Sequence, residues 1–180
     1  TGAQLGGAKL AGAKLAGAKL EVADLSEADL TGADLTGACL RKATLIKARG
    51  DGACFVGVTA DKALFADGSW RGARFDGSSL AEADFSNAEL DEAVFDGACL
   101  RKLRLYDARA SKASFRRADL GDARADAVAL LGCVLDEARG DGSVWEGAIL
   151  DDSSFAGASL NGASFVKAPC LGASFQRAQL

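Results

Sequence analysis

Chemistry in this sequence would have to come from thiols and carboxylates. The 180-residue chain has five cysteines, 25 acidic residues and no histidine. The absence of histidine removes the commonest general base and the commonest zinc ligand. Thiols act as nucleophiles and carboxylates as acids or bases, but only where a fold makes them converge in a pocket. Their role therefore depends on the elements that position them.

A five-residue register runs through the whole chain. Every fifth residue (position 5) from Leu5 to Leu180 is one of 19 Leu, 9 Phe, 2 Trp, 3 Ala, 2 Gly and 1 Cys. Two residues earlier (position 3), 28 of 36 residues are Ala, and no charged residue occupies either position. Because burying an unpaired charge is prohibitive, positions 3 and 5 are predicted to face inward and the other three outward.

A period of five fits neither an α-helix nor a β-strand. The sequence resembles the pentapeptide-repeat family, whose consensus is A-(D/N)-L-X-X. The segments that match to the letter are Ala23-Asp24-Leu25, Ala28-Asp29-Leu30, Ala33-Asp34-Leu35 and Ala118-Asp119-Leu120. The resemblance implies an all-β fold, a right-handed quadrilateral parallel β-helix (β-solenoid) of 36 pentads in about nine 20-residue coils.

The charge pattern independently favours 20 residues per coil. Residues one coil apart in a β-solenoid stack at about 4.8 Å, so like charges should avoid that spacing. A spacing of 20 gives 19 opposite-sign and 4 like-sign pairs, whereas a spacing of 15 gives 9 and 14. Columns such as Lys9–Asp29–Arg49 therefore alternate in sign. The residues Phe55, Phe75, Phe95 and Phe115 recur at the same spacing and predict an aromatic ladder.

The exceptions within the inward positions compensate one another. Gly50 lies one coil before Trp70, and Ala125 lies one coil before Trp145. A missing side chain beside a large one keeps the interior at uniform density, so each pair is predicted to share space. The residues Ser78, Ser143 and Ser153 can replace Ala at position 3 if each hydroxyl finds a backbone carbonyl.

The same register keeps the cysteines apart. Cys39 and Cys99 share a column but lie three coils, or roughly 14 Å, from each other, which is beyond the reach of a disulfide. No two cysteines are one coil apart, and Cys133 and Cys170 occupy inward positions. We therefore expect no disulfide, metal or cofactor, and five reduced thiols favour a cytoplasmic location. A solenoid without insertions offers no pocket, so the sequence favours a protein that is not an enzyme.

Nucleic acid and membranes are not favoured as partners. No apolar run approaches the 18 residues of a membrane span, and Asp29 and Asp34 cover two lysines of the first coil instead of leaving a basic stripe. Some members of the resembled family mimic B-DNA and bind type II topoisomerases such as gyrase. Alternating charges cancel the field that a mimic needs. Residues 121–180 nevertheless carry 8 acidic and 4 basic residues, so this alternative stays open.

The register covers residues 1–180 without a break, which predicts a single repeat domain. Solenoids carry capping elements, and neither end of this sequence shows one. This indicates a fragment of a longer chain or an uncapped or engineered array. Because exposed β-edges pair with other chains, an uncapped rod is expected to associate end to end.

One surface departs from the outward-polar rule. Ala129, Ile149 and Pro169 lie 20 residues apart, and Leu131 and Leu171 follow them on the same face. Contiguous apolar patches often mark interfaces, so these five residues form a candidate interaction face. The sequence thus favours a non-enzymatic scaffold rod that binds a protein partner, a second copy, or a neighbouring domain of the same chain.

Overall fold

Each pentad contributes one residue to a parallel β-ladder. The computed structural model describes all 180 residues and contains no helix and no extended strand, only isolated bridges. All 31 bridges are parallel and join position 4 of one pentad to position 4 exactly four pentads later, from Gln4–Asp24 to Ser159–Gln179. This is the 20-residue register that the charges predict. Successive 20-residue segments are numbered here as coils 1 to 9, from residues 1–20 to residues 161–180.

A turn with a left-handed residue separates successive bridges. Position 2 of every pentad has a φ between 54° and 71°. The N–H of position 3 donates to the C=O of the preceding position 5, as Ala8 does to Leu5 at 3.0 Å, which closes a four-residue turn. Glycine occupies position 2 in 17 pentads because it adopts this φ without a steric cost, and 19 pentads carry a side chain there.

Hydrogen bonds between coils use all but one of the remaining backbone N–H groups of a pentad. In the second coil, the N–H groups of Val22, Asp24 and Leu25 all donate to a neighbouring coil at 2.7–2.9 Å. The N–H of position 1 has no backbone acceptor. In twelve pentads an aspartate accepts it, either from position 4 just before, as Asp24 does for Ser26, or from position 1 one coil back, as Asp61 does for Ala81. The repeat pattern by itself does not predict this role for aspartate.

The core consists of the two inward positions. All but one of the 58 buried residues occupy position 3 or 5, the exception being Gly121, and no charged residue is buried. Phe55, Phe75, Phe95 and Phe115 form the predicted ladder, with successive ring centroids 4.7, 4.8 and 5.0 Å apart. A second pair, Phe65 and Phe85, stacks at 4.4 Å with its rings perpendicular to the first ladder.

Trp70 fills the space above Gly50, as the sequence predicts. A Cβ on Gly50 would lie 2.5 Å from Cε3 of Trp70. Gly68 is also required, since a Cβ there would lie 2.6 Å from Nε1 of Trp70. The turn at Gly68 lacks its backbone bond, and Nε1 of Trp70 donates instead to the free C=O of Phe65 at 3.1 Å.

The three buried serines find carbonyl acceptors, as predicted. Ser78 donates to the C=O of Phe75 at 2.7 Å and Ser143 to that of Gly140 at 2.5 Å. Ser153 acts across coils: it donates to the C=O of Leu130 and accepts the N–H of Cys133 at 3.0 Å. Its hydroxyl thus replaces the one other missing turn bond in the rod.

Candidate protein-interaction face

The candidate interaction face lies on coils 7 to 9. Ile149, at position 4, is 39% exposed, and Leu131 and Leu171, at position 1 of the following turn, are 43% and 80% exposed. Pro169 is exposed and Ala129 is half-buried. Three of the six large apolar residues that the rod exposes therefore belong to this face.

The backbone holds these side chains outward. Ala129 and Ile149 form a bridge, so their side chains stack one coil apart. The equivalent bridge from Ile149 to Pro169 is missing because proline has no N–H to donate. The C=O of Pro169 still accepts the N–H of Leu150 at 2.8 Å, which keeps the last coil in register.

Asp151 is the one charged residue within the face. It lies between Leu131 and Leu171 in the same column, and its carboxylate accepts the N–H of Leu171 at 2.8 Å. The carboxylate is thus turned toward the backbone of the next coil. Val144 lies in the pentad before that of Ile149, and Val166, in the same pentad as Pro169, is 55% exposed.

The thiols and carboxylates do not converge. All five cysteines are free, and no three His, Cys, Asp or Glu side chains form a group that could hold a metal. Burial raises the pKa of the Cys133 thiol to about 12, and this thiol donates to the C=O of Ala110 at 2.6 Å. The one surface hollow, of about 260 Å³, lies along coils 7 to 9 between Glu137 and Arg177. No helix that could cross a membrane is present.

Ion pairs follow the predicted columns only in part. Five of the ten pairs join residues 20 apart, among them Glu21–Arg41 at 3.2 Å and Lys62–Glu82 at 3.5 Å. The column Lys9–Asp29–Arg49 forms none within 4.0 Å. Asp29 instead accepts the hydroxyl of Thr31 at 2.6 Å and its N–H at 3.1 Å, so the carboxylate points along the turn rather than toward the bases.

These local bonds also shift the acidity of the aspartates. The hydroxyl and then the N–H of Thr31 lower the pKa of Asp29, and Thr36 does the same for the pKa of Asp34. The hydroxyl of Ser159 is the main cause of the lowered pKa of Asp141. These carboxylates are therefore stabilised as anions by donors of the adjoining turn or, for Asp141, of the turn one coil later.

The turns, bridges and buried columns define a β-solenoid protein built from five-residue repeats. The profile for pentapeptide repeats matches residues 3–41, 28–67 and 71–105, in eight copies. These segments cover more than half of the sequence, and the chain belongs to the pentapeptide-repeat family. The family resemblance noted in the sequence is thereby confirmed.

Two solved structures share the fold. HetL, a pentapeptide repeat protein involved in heterocyst differentiation regulation in the cyanobacterium Nostoc sp. strain PCC 7120, is 26% identical; the match covers 99% of this chain and 87% of HetL, with a TM-score of 0.54. QnrB1, a plasmid-mediated fluoroquinolone resistance protein, is 15% identical in its trypsin-treated form. That match covers 89% and 86% of the two chains, with a TM-score of 0.56. No curated protein matches the sequence.

Proposed function

We propose that this chain is a non-enzymatic rod that binds a protein partner through the candidate interaction face. The observation that carries the proposal is the exposure of Leu131, Ile149 and Leu171 on adjacent coils, in positions that elsewhere are mostly polar or charged. Exposed apolar side chains at one place on a rigid rod are typical of a docking surface. The similarity to HetL, which is involved in the regulation of heterocyst differentiation, supports a regulatory role for such a rod.

The architecture proposed for this function is a right-handed, four-sided solenoid of about nine coils. At about 4.8 Å per coil the rod is roughly 43 Å long. Such a rod holds its docking face at a fixed position and orientation. The five free thiols support a reducing compartment as its location.

The double substitution Ile149→Arg with Leu171→Arg tests the docking face. Both side chains point outward, so the fold is expected to persist while the partner is lost. Val56→Arg with Val94→Arg is the matched control, because Val56 shares position 1 with Leu171 and Val94 shares position 4 with Ile149.

The measurement is affinity capture from a native lysate with quantitative mass spectrometry. A partner should be retained by the wild type and by the control pair and absent with the face variant. If the face variant and the wild type capture the same proteins in the same amounts, this surface is not the docking site.

Mimicry of DNA toward a type II topoisomerase is the alternative function. The excess of acidic residues in 121–180 favours it. Its best local feature, the like-charged neighbours Asp126 and Glu146, is weakened because Arg124 pairs with Asp126 at 3.2 Å. A DNA gyrase supercoiling assay separates the two functions. A docking rod leaves supercoiling unchanged, whereas inhibition of supercoiling or protection from a quinolone would support mimicry.

A further inference from the structure

The charges of the rod are sorted by coil. Coil 5 (residues 81–100) carries six acidic residues and no basic one, whereas coil 6 (101–120) carries seven basic and two acidic residues. Coil 3 (41–60) has four basic residues and one acidic, and coil 8 (141–160) has four acidic and none basic. Far from the rod, the electrostatic fields of the acidic and basic coils cancel. In close contact, these coils are complementary only to a surface on which acidic regions face basic coils and basic regions face acidic coils.

The sorting is sharpest on one side of the rod, here called the charged side. It consists of positions 1, 2 and 4 of the first pentad of each coil, that is, residues 1, 2 and 4 in coil 1, residues 21, 22 and 24 in coil 2, and so on every 20 residues. Four of the ten ion pairs lie on it. They hold Glu82 against Lys62 at 3.5 Å and Asp84 against Arg104 at 3.5 Å, and the side chains of Lys62, Glu82 and Arg104 remain about half exposed.

An antiparallel second copy has the required order of charges. A twofold axis between coils 5 and 6 places coil 5 against coil 6 of the other copy, coil 4 against 7, coil 3 against 8 and coil 2 against 9. Each position on the charged side then faces the same position of the paired coil. The opposite-charge pairs created across the axis are Glu82 with Lys102, Asp84 with Arg104, Lys62 with Asp122, and Arg41 with Asp141, each occurring twice. No like-charged pair occurs on this side in that register.

Other registers of the same two surfaces bring like charges together. A twofold axis through coil 5 sets Glu82 against Glu82 and Asp84 against Asp84 of the second copy. An axis through coil 6 does the same for Lys102 and Arg104. In a parallel arrangement without a shift, every coil would face the same coil of the second copy, so acidic coil 5 would face acidic coil 5 and basic coil 6 would face basic coil 6. Like charges in contact oppose association, so these arrangements are disfavoured relative to the register centred between coils 5 and 6.

We propose that this chain forms an antiparallel, side-by-side dimer through the charged side, centred between coils 5 and 6. This interface is isologous, as twofold symmetry requires, and it is separate from the interaction face on coils 7 to 9. Exposed ion pairs are individually weak, so the dimer rests on a network of eight and is sensitive to salt. Six of the eight charged residues involved keep an ion-pair partner in their own chain, and Lys102 and Asp141 gain their first one across the axis.

Lys62 and Asp122 provide the decisive test. Within one chain they lie three coils, about 14 Å, apart, so coupling between them has to cross from one copy to the other. Both occupy position 2, where Glu82 and Lys102 already occur. Lys62→Glu and Asp122→Lys therefore introduce residue types that the turn accommodates.

Sedimentation velocity at about 10 mM ionic strength measures the result, since the Debye length of about 30 Å there leaves the pairs unscreened. The wild type should be dimeric, and its dissociation constant should rise at about 0.5 M salt. Each single variant should weaken the dimer by about tenfold or more, because two attractive pairs become repulsive. An equimolar mixture of the two variants should restore a dimer, since all four charges are then complementary between unlike chains.

Arg117→Glu and Glu137→Arg form the matched control. They reverse an ion pair of 2.9 Å at position 2 of a different pentad and should leave the wild-type dissociation constant unchanged. Ile149→Arg with Leu171→Arg should also leave it unchanged, which separates this dimer from the docking face. A wild type that is monomeric at low salt, a mixture that stays monomeric, or a control that dissociates the dimer as strongly would overturn the proposal.

Discussion

Trp70 and Gly50 offer a direct test of how the core is packed. Trp70 is fully buried, its ring lies 5.7 Å from Phe55 and 5.1 Å from Phe65, and its Nε1 satisfies the C=O of Phe65. Truncation of a buried tryptophan to alanine costs about 3–5 kcal/mol, and an unsatisfied buried carbonyl adds about 1 kcal/mol. We therefore expect Trp70→Ala to lower the free energy of unfolding by about 4–6 kcal/mol.

The pairing of the two residues is tested by a cycle with leucine. Gly50→Leu alone places a side chain where the indole lies, and such overpacking costs about 1–3 kcal/mol or more. In the Trp70→Leu background the indole is absent, and leucine stacks on leucine as it does in much of the rod. The double variant should therefore be at least about 2 kcal/mol more stable than the sum of the single changes predicts.

Urea unfolding followed by far-ultraviolet circular dichroism measures all four members of the cycle. The urea dependence should be the same in each, so that midpoints report stability. Gly68→Ala adds a second check, because the new Cβ would meet both Nε1 of Trp70 and the C=O of Ala48 in the wild type, so Trp70→Leu should relieve only part of its cost. Costs that add within about 0.5 kcal/mol would refute shared space between Gly50 and Trp70.

Four further outcomes are expected. Ser153→Ala should lower the free energy of unfolding in urea by about 1–3 kcal/mol, because it leaves the N–H of Cys133 and the C=O of Leu130 without a hydrogen-bond partner. Ser78→Ala should lower it by less than about 1 kcal/mol, because the turn bond from the Ser78 N–H to the C=O of Phe75 stays intact. Val22→Gly should raise the urea midpoint, with a gain in the free energy of unfolding of about 1 kcal/mol. A β-branched residue is strained at the φ of 58° that Val22 adopts, and little packing is lost because its side chain is half exposed. The lowered pKa of Asp29 stabilises the fold above the unfolded carboxyl pKa of 3.8, and this contribution is lost as the pH falls through the lower folded value. Thr31→Val should thus reduce the urea midpoint at neutral pH, with a difference that shrinks below about pH 3; a constant difference would contradict this linkage. With its pKa at about 12, Cys133 should resist a maleimide reagent in the folded protein at about pH 8 and react only in urea, which intact-mass spectrometry would show.

The inward columns could be predicted from the sequence because charge exclusion marks them at every pentad. Positions 3 and 5 contain no charged residue, and the structure buries nearly all of them between Leu20 and Leu160. The 20-residue register could be predicted for the same kind of reason, since stacked like charges are avoided. The same 20-residue register places Gly50 one coil from Trp70 and therefore predicted that the two residues share space in the core.

The hydrogen bonds of the outward residues could not be predicted in this way. Column alternation predicts that Asp96 pairs with Arg116, but its carboxylate accepts the Ser114 hydroxyl at 2.5 Å and the Arg116 backbone N–H at 3.0 Å. The carboxylate takes this position because the N–H of position 1 has no backbone acceptor, a fact that only the three-dimensional path of the backbone reveals. The available signal was the consensus itself, because aspartate at position 4 is followed two residues later by Ser or Thr at Ser26, Thr31 and Thr36.

The candidate interaction face was predictable as a cluster of apolar residues, and the structure adds their exposure. Ile149, in coil 8, is 39% exposed, and Leu171, in coil 9, is 80% exposed. The orientation of Asp151 toward the N–H of Leu171 could not be read from the sequence, because it depends on the close approach of the two coils.

The bridges that join only residues 20 apart also bear on how such a chain can lengthen. A duplication or deletion of 20 residues leaves every bridge, turn and inward column in place, whereas one of five residues shifts all the columns beyond it to the next side of the rod. The hexapeptide Gly-Ala-Cys-Leu-Arg-Lys occurs at residues 37–42 and again at 97–102, three whole coils later. Both copies therefore lie at the same corner of the rod, as growth by duplication of complete coils would leave them.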